Sequence, residues 1–117
     1  MPYVDGFVLA VPNGKMDAYI AAAETARDVW MEYGALSYVE AVADDVSVGD
    51  VTSFPRAVQL KADETVIFSW ITYESRESRD AIMAKVMADE RMKSGMENMP
   101  FDGKRMIYGG FRIIVEN

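Results

Sequence analysis

The stretches of this chain that read as β-strands are apolar on both of the faces a strand presents. In YVDGFVLAV, residues 3 to 11, Tyr3 and Phe7 stand against Val4 and Val8. In TVIFSWITY, residues 65 to 73, Phe68 and Trp70 stand against Ile67 and Ile71. In LSYVEAVAD, residues 36 to 44, Leu36, Tyr38, Glu40 and Val42 alternate with Ser37, Val39 and Ala41. Successive side chains of a strand point to opposite sides, so a sheet with one wet face alternates apolar and polar residues. These strands do not, and a sheet built from them needs cover on both sides.

The rest of the pattern supplies cover for one side. After the Pro12-Asn13-Gly14 turn the period changes. Met16, Tyr19, Ile20, Ala23, Ala26, Val29, Trp30 and Tyr33 recur at three and four, the spacing of an amphipathic helix that stops at Gly34. Ser75 starts a second helix, with Glu77 in its first turn and Ile82, Met83, Val86 and Met87 as its apolar stripe. Asp89 caps a short further turn that ends near Gly95, and KRMIYGGFRIIVE, residues 104 to 116, is the last strand. Residues 45 to 63 are too long for a structureless loop in a compact domain, and SFPRAVQL is expected to form a short element. The order is β-α-β-β-α-β. It predicts an α+β, ferredoxin-like fold over one domain, residues 1–117, with a four-stranded antiparallel-type sheet and two helices on one face. The other face is left bare and apolar. The same face of a second copy, related by a two-fold axis, covers it most simply, which predicts a homodimeric α/β barrel.

Composition narrows the chemistry. The 117 residues hold no cysteine and no histidine. Disulfides, thiolate nucleophiles, imidazole bases and His- or Cys-held metals are excluded, and no metal or cofactor is expected. Twelve Lys and Arg against 19 Asp and Glu give a net charge of −7, which disfavours nucleic acid and anionic membrane surfaces. No apolar run approaches the length of a membrane span, and Asp5 interrupts the opening apolar run, which argues against a secretory signal. A cytoplasmic protein is expected.

The charges embedded in strands are the informative ones. Asp5, Glu40 and Arg112 lie among apolar and aromatic residues, and buried charges need partners. Asp5 and Arg112 can pair across adjacent strands, Arg112 can reach solvent at a strand end, or either can face a pocket. Glu40 shares a face with Tyr38, and a desolvated carboxylate beside aromatics makes a candidate acid or base. With Tyr38, Trp70 and Tyr108 as aromatic walls, Asp5, Glu40 and Arg112 complete the candidate ligand-binding set. Gly109-Gly110 lies within a strand and lacks the strand-to-helix turn of a phosphate loop. Gly6 and one of these glycines can floor a shallow site, filled by a helix side chain such as Trp30 or by a ligand. Pro100-Phe101-Asp102-Gly103 reads as a turn, and Lys104 and Arg105 point to opposite faces. The acids Asp44, Asp45, Asp50, Asp63 and Glu64 read as a solvated loop. Met83, Met87, Met92, Met96 and Met99 read as adaptable packing.

The stretches MPYVDGFVLAVP, VWMEYGALSYVE, TSFPRAVQL, TVIFSWITY and MPFDGKRMIYGGF closely resemble the YbaA-like bacterial proteins, a domain of unknown function. The resemblance covers nearly the whole chain. It implies a ferredoxin-like, dimeric α/β barrel and transfers no catalytic residues. Two readings follow. In one, the barrel of a homodimer holds a small apolar or aromatic molecule and works without a cofactor. In the other, the chain is a non-catalytic dimeric module that regulates or binds a partner. A cavity of several hundred Å³ lined by strand residues favours the first, and a filled barrel favours the second.

Overall fold

The structure, a computed structural model, describes residues 2–96 and 98–117, all but Met96 with their side chains. Ten-residue strands β1 (Tyr3–Pro12) and β3 (Glu64–Tyr73) form the centre of the sheet. Six-residue strands β2 (Ser37–Val42) and β4 (Ile107–Arg112) form its edges. The order across the sheet is β2-β3-β1-β4, with every pairing antiparallel. Helices α1 (Met16–Glu32) and α3 (Arg76–Ala88) follow β1 and β3, with short helices α2 (Phe54–Ala57) and α4 (Glu90–Met96) between the main elements. This is the ferredoxin-like α+β arrangement that the order of periodic segments predicts.

Local signals set the helix ends. Gly34 adopts φ +111°, which a residue with a Cβ rarely does. The chain reverses there, and the Ala35 N–H donates back to the Trp30 carbonyl at 3.1 Å. Ser75 caps α3 by accepting from the Ser78 N–H at 3.0 Å. Asp89 accepts from the Arg91 N–H at 2.9 Å and so starts α4.

The odd-numbered residues of β1 and β3 face α1 and α3. Ile71 and Tyr73 pack with Val29, Trp30, Ile82 and Val86 in one cluster, and Leu9, Val11 and Ile67 pack with Tyr19 in another. Leu9 is 2% exposed, and truncating it to Ala would cost about 2–5 kcal/mol through lost burial and the cavity left behind. Of the methionines read as packing, Met83 and Met92 border the first cluster, whereas Met87 and Met99 are exposed. The Met96 side chain lies outside the described residues.

The opposite sheet face is not bare throughout. Residues 45–63 cross one end of it. Ser53 caps α2 by accepting from the Arg56 N–H. Val58 is fully buried against Val8, Ala10 and Val66. The expected short element therefore serves as a partial lid. Beyond it the face stays open: Phe68, Ile107 and Phe111 are exposed, and Phe54 and Trp70 flank the Phe68 ring. The last strand also ends earlier than expected, at Arg112. The Ile113 N–H still donates to the Pro2 carbonyl at 3.1 Å, and Ile114 and Val115 are exposed beyond it.

Candidate functional site

Three carboxylates stand in the strands, and each is held differently. Asp5, on β1 beneath α3, is 5% exposed. It accepts from the Tyr73 hydroxyl at 3.0 Å, and its other oxygen lies 3.4 Å from Arg79 Nη1. The Trp30 indole N–H donates to the Tyr73 oxygen at 3.1 Å, and the Arg79 guanidinium lies 5.0 Å from the centre of the Tyr3 ring. Burial pushes the Asp5 carboxyl above its usual range, opposed by Tyr73 and Arg79. The Arg79 Nε–H is buried and has no well-aligned acceptor, although Asp80 Oδ1 sits 3.1 Å away. Glu64, at the start of β3, takes a two-point contact from Arg105 at 2.6 and 2.8 Å. That pairing holds its carboxyl down at about 2.

Glu40 is the third. It sits on the edge strand β2, half-buried, opposite Ser69 of β3. The Tyr19 hydroxyl reaches down from α1 and donates to Oε1 at 2.5 Å, and the Tyr38 hydroxyl donates to Oε2 at 2.7 Å. Burial, together with the adjacent carboxylate, pushes both phenols far above the ordinary tyrosine range, so they act as fixed neutral donors. Among the described residues, no cation lies within 4.0 Å of Glu40. The carboxylate opens into a cleft of about 330 Å³ between α1 and β2. Tyr19, Ile20 and Ala23 form its helix wall, and Tyr38, Val42 and Ile67 its sheet wall. Space remains there because Ala23 is small and Ile20 turns half outward, at 50% exposure. A shallow depression of about 370 Å³ also lies over α2 and Lys61, but its carboxylate, Glu64, is already closed by Arg105.

The sequence candidates divide among these places. Tyr38 and Glu40 meet in the cleft. Asp5 belongs to the buried network under α3, and its cation is Arg79 of α3 instead of Arg112, which is opposite Tyr3 and exposed. Tyr108 stacks on Phe7 at the β4 edge, across the sheet from the cleft. Trp70 lies on the open face, so the sheet separates it from the other five. Among the described residues, no group of three carboxylates converges closely enough to hold a metal ion.

The glycine pair in β4 answers to packing. Gly110 is opposite Asp5, and a Cβ there would collide with the Tyr3 hydroxyl and Arg79 Nη2. Gly109 is opposite Gly6 on the open face, beside the Phe111 ring. Trp30 lies under the helices and does not fill that floor. Arg105, expected in the last strand on the face opposite Lys104, instead lies in the turn before β4 and reaches Glu64 and the Gln59 carbonyl. It joins the 100–105 turn to the α2 segment. The cleft residue that pattern reading missed is Tyr19, because its place in the apolar stripe of α1 gives no sign that its hydroxyl meets a carboxylate. Arg79 was missed likewise, as one more charge on an exposed helix.

Residues 2–103 match the model of a protein family described as "Protein of unknown function (DUF1428)". The chain belongs to that family. It is 55% identical over 116 residues to the uncharacterized protein YbaA of Escherichia coli K12, and equally to that of Shigella flexneri, covering 99% of both chains in each case. Among solved structures it is similar to a dimeric ferredoxin-like protein from an uncultured marine organism (TM-score 0.65, 14% identity, 100% of both chains covered). It is also similar to Rv0793 of Mycobacterium tuberculosis (TM-score 0.62, 12% identity, 99% and 98% covered). A putative antibiotic biosynthesis monooxygenase from Nitrosomonas europaea is similar too (TM-score 0.62, 10% identity, 97% and 90% covered). At these identities the likeness speaks for the fold alone.

Proposed function

We propose that this DUF1428 protein is a cytoplasmic, cofactor-free homodimer that binds a small molecule with an apolar or aromatic body in the cleft between α1 and β2. The observation that carries the reading is the division of labour between the two sheet faces. The open part of the face away from α1 and α3 carries Phe68, Trp70, Ile107 and Phe111, a composition suited to burial against another copy. The strand carboxylate of that face, Glu64, lies at the end covered by residues 45–63 and is paired with Arg105. The face beneath the helices carries Glu40 at the mouth of a cleft of about 330 Å³. That volume is at the lower end of the range for small-molecule sites. The solved dimeric ferredoxin-like relative of the fold supports the assembly.

The test has two arms. Light scattering at micromolar concentration should give twice the chain mass for the native protein. Phe68→Lys should shift it to the monomer mass, because an unpaired charge in an apolar interface is costly. A native monomer would overturn the assembly. Thermal melts with a panel of small aromatic compounds should find at least one that stabilises the native protein and loses its effect in Ala23→Leu, which fills the cleft. If every compound leaves the melting point unmoved, the non-catalytic dimeric module becomes the better account.

A further inference from the structure

We propose that the ligand of the α1–β2 cleft is a small organic cation, an alkylamine or amidine on a compact apolar body, with Glu40 as its counter-ion; this rests on the reading of the cleft as the ligand site. The chain provides its own comparison. Asp5 and Glu64, the other two strand carboxylates, each have an arginine within the protein: Arg79 at 3.4 Å and Arg105 at 2.6 Å. Glu40 is half-buried and in the same sheet, and it has two neutral phenols instead. Phenol donors satisfy lone pairs but leave the negative charge uncompensated, and a charge withdrawn from water calls for an opposite one.

The remaining features of the cleft suit such a guest. An ionised carboxylate has room for about four hydrogen bonds, and the phenols use two. An ammonium group has three donors and no acceptor, so it matches what is left. The Tyr19 and Tyr38 rings beside the carboxylate add faces that attract cations. Glu24 also lines the cleft and adds negative charge. Arg27, the cation on the lining, is turned to Asp28 at 3.0 Å. Met16, Val42 and Ile67 offer an apolar wall for the body of the molecule. At roughly 30 Å³ per water-sized group, about 330 Å³ holds on the order of ten non-hydrogen atoms. An anionic guest would meet Glu40 head-on, and a neutral one would leave the charge as it stands.

A matched series separates the class of ligand from the existence of the site. Binding of 2-phenylethylamine, 2-phenylethanol and phenylacetate is measured by calorimetry at about pH 7, where an alkylamine is protonated. The amine should bind at least about tenfold tighter than the alcohol, and phenylacetate should not bind. In Glu40→Gln the amine should lose that advantage and bind like the alcohol. In Ala23→Leu, which keeps the carboxylate but fills the cleft, the amine should not bind. Circular dichroism confirms the fold of both variants, and either variant alone can decide if the other does not fold. If the alcohol or the acid binds native protein as tightly as the amine, the cation assignment falls while the cleft stands. Amine binding unchanged in either folded variant moves the amine out of the cleft and overturns the proposal. If none of the three binds up to about 10 mM, the cation assignment and the cleft reading fall together.

Discussion

The two ends of the helix-covered sheet face treat a carboxylate in opposite ways. At Asp5 the chain completes the site. An interior strand places the carboxylate under α3, Tyr73 and Arg79 close around it, and Trp30 seals the network from α1. At Glu40 the chain stops short. An edge strand carries the carboxylate, two phenols fix its oxygens, and the side facing α1 stays open. Both carboxylates are polar groups in an apolar setting and both are hydrogen-bonded, so hydrogen bonding does not tell them apart. The difference is charge. At Asp5 the chain supplies an arginine, whereas at Glu40 it supplies two neutral phenols and, among the described residues, no cation within 4.0 Å.

The largest expected effect breaks the closed end. Arg79→Met leaves Asp5 buried without its cation and should destabilise the protein by about 3–5 kcal/mol in urea unfolding. Glu40→Gln should cost only about 1 kcal/mol, because a partly open site loses one well-matched acceptor and no cation is stranded. Equal losses for the two variants would erase the distinction between the ends.

Gly110→Ala is the intermediate case. The added methyl group meets the Tyr3 hydroxyl and Arg79, so it should destabilise by about 1–3 kcal/mol through overpacking at the Asp5 end alone. Chemical shifts of the Tyr19 and Tyr38 rings should stay in place while those of Tyr3 move. Displacement of the cleft tyrosines would show the two ends to be one coupled site.

The last effect is read as a slope against pH. Glu64 has a folded value of about 2 against an ordinary 4.5, held down first by its hydrogen bonds from Arg105. A lowered acid value means that this contribution is fully present above about pH 4.5 and is lost as the pH falls toward 2. In Arg105→Met that part of the acid dependence should flatten. Persistence of the native acid profile in the variant would assign it to other groups.

Much of the architecture was legible because it rests on periodicity. The switch from the β-branched and aromatic run YVDGFVLAV to threes and fours after Lys15 marked β1 and α1 within a residue or two. The apolar character of both strand faces anticipated the exposed surface around Phe68 and Phe111. The site was legible only in part. Glu40 and Tyr38 stood out because they share one strand face, a short-range fact. Tyr19 and Arg79 come to their carboxylates from helices, across 21 and 74 positions in sequence. A helical stripe records which side chains point inward, and it carries nothing about what they meet there. Residues 45–63 resisted for a related reason. Their cover of Val8, Ala10 and Val66 depends on a single buried valine, Val58, too little to set a period.

The register of the sheet has a consequence for how the chain is made. Gly6 is opposite Trp70 on one side and Gly109 on the other, so the first strand waits for partners about sixty and about a hundred positions downstream. A chain growing from its N-terminus carries β1 unpaired through most of its synthesis. Apolar strands with open edges are templates for pairing with other chains. A ribosome that stalls before Ile107 would release a sheet with β1 as an edge and Tyr3, Phe7 and Leu9 along it. Truncated products of this length should therefore be recovered as aggregates or as clients of chaperones, while the full-length chain closes that edge with β4.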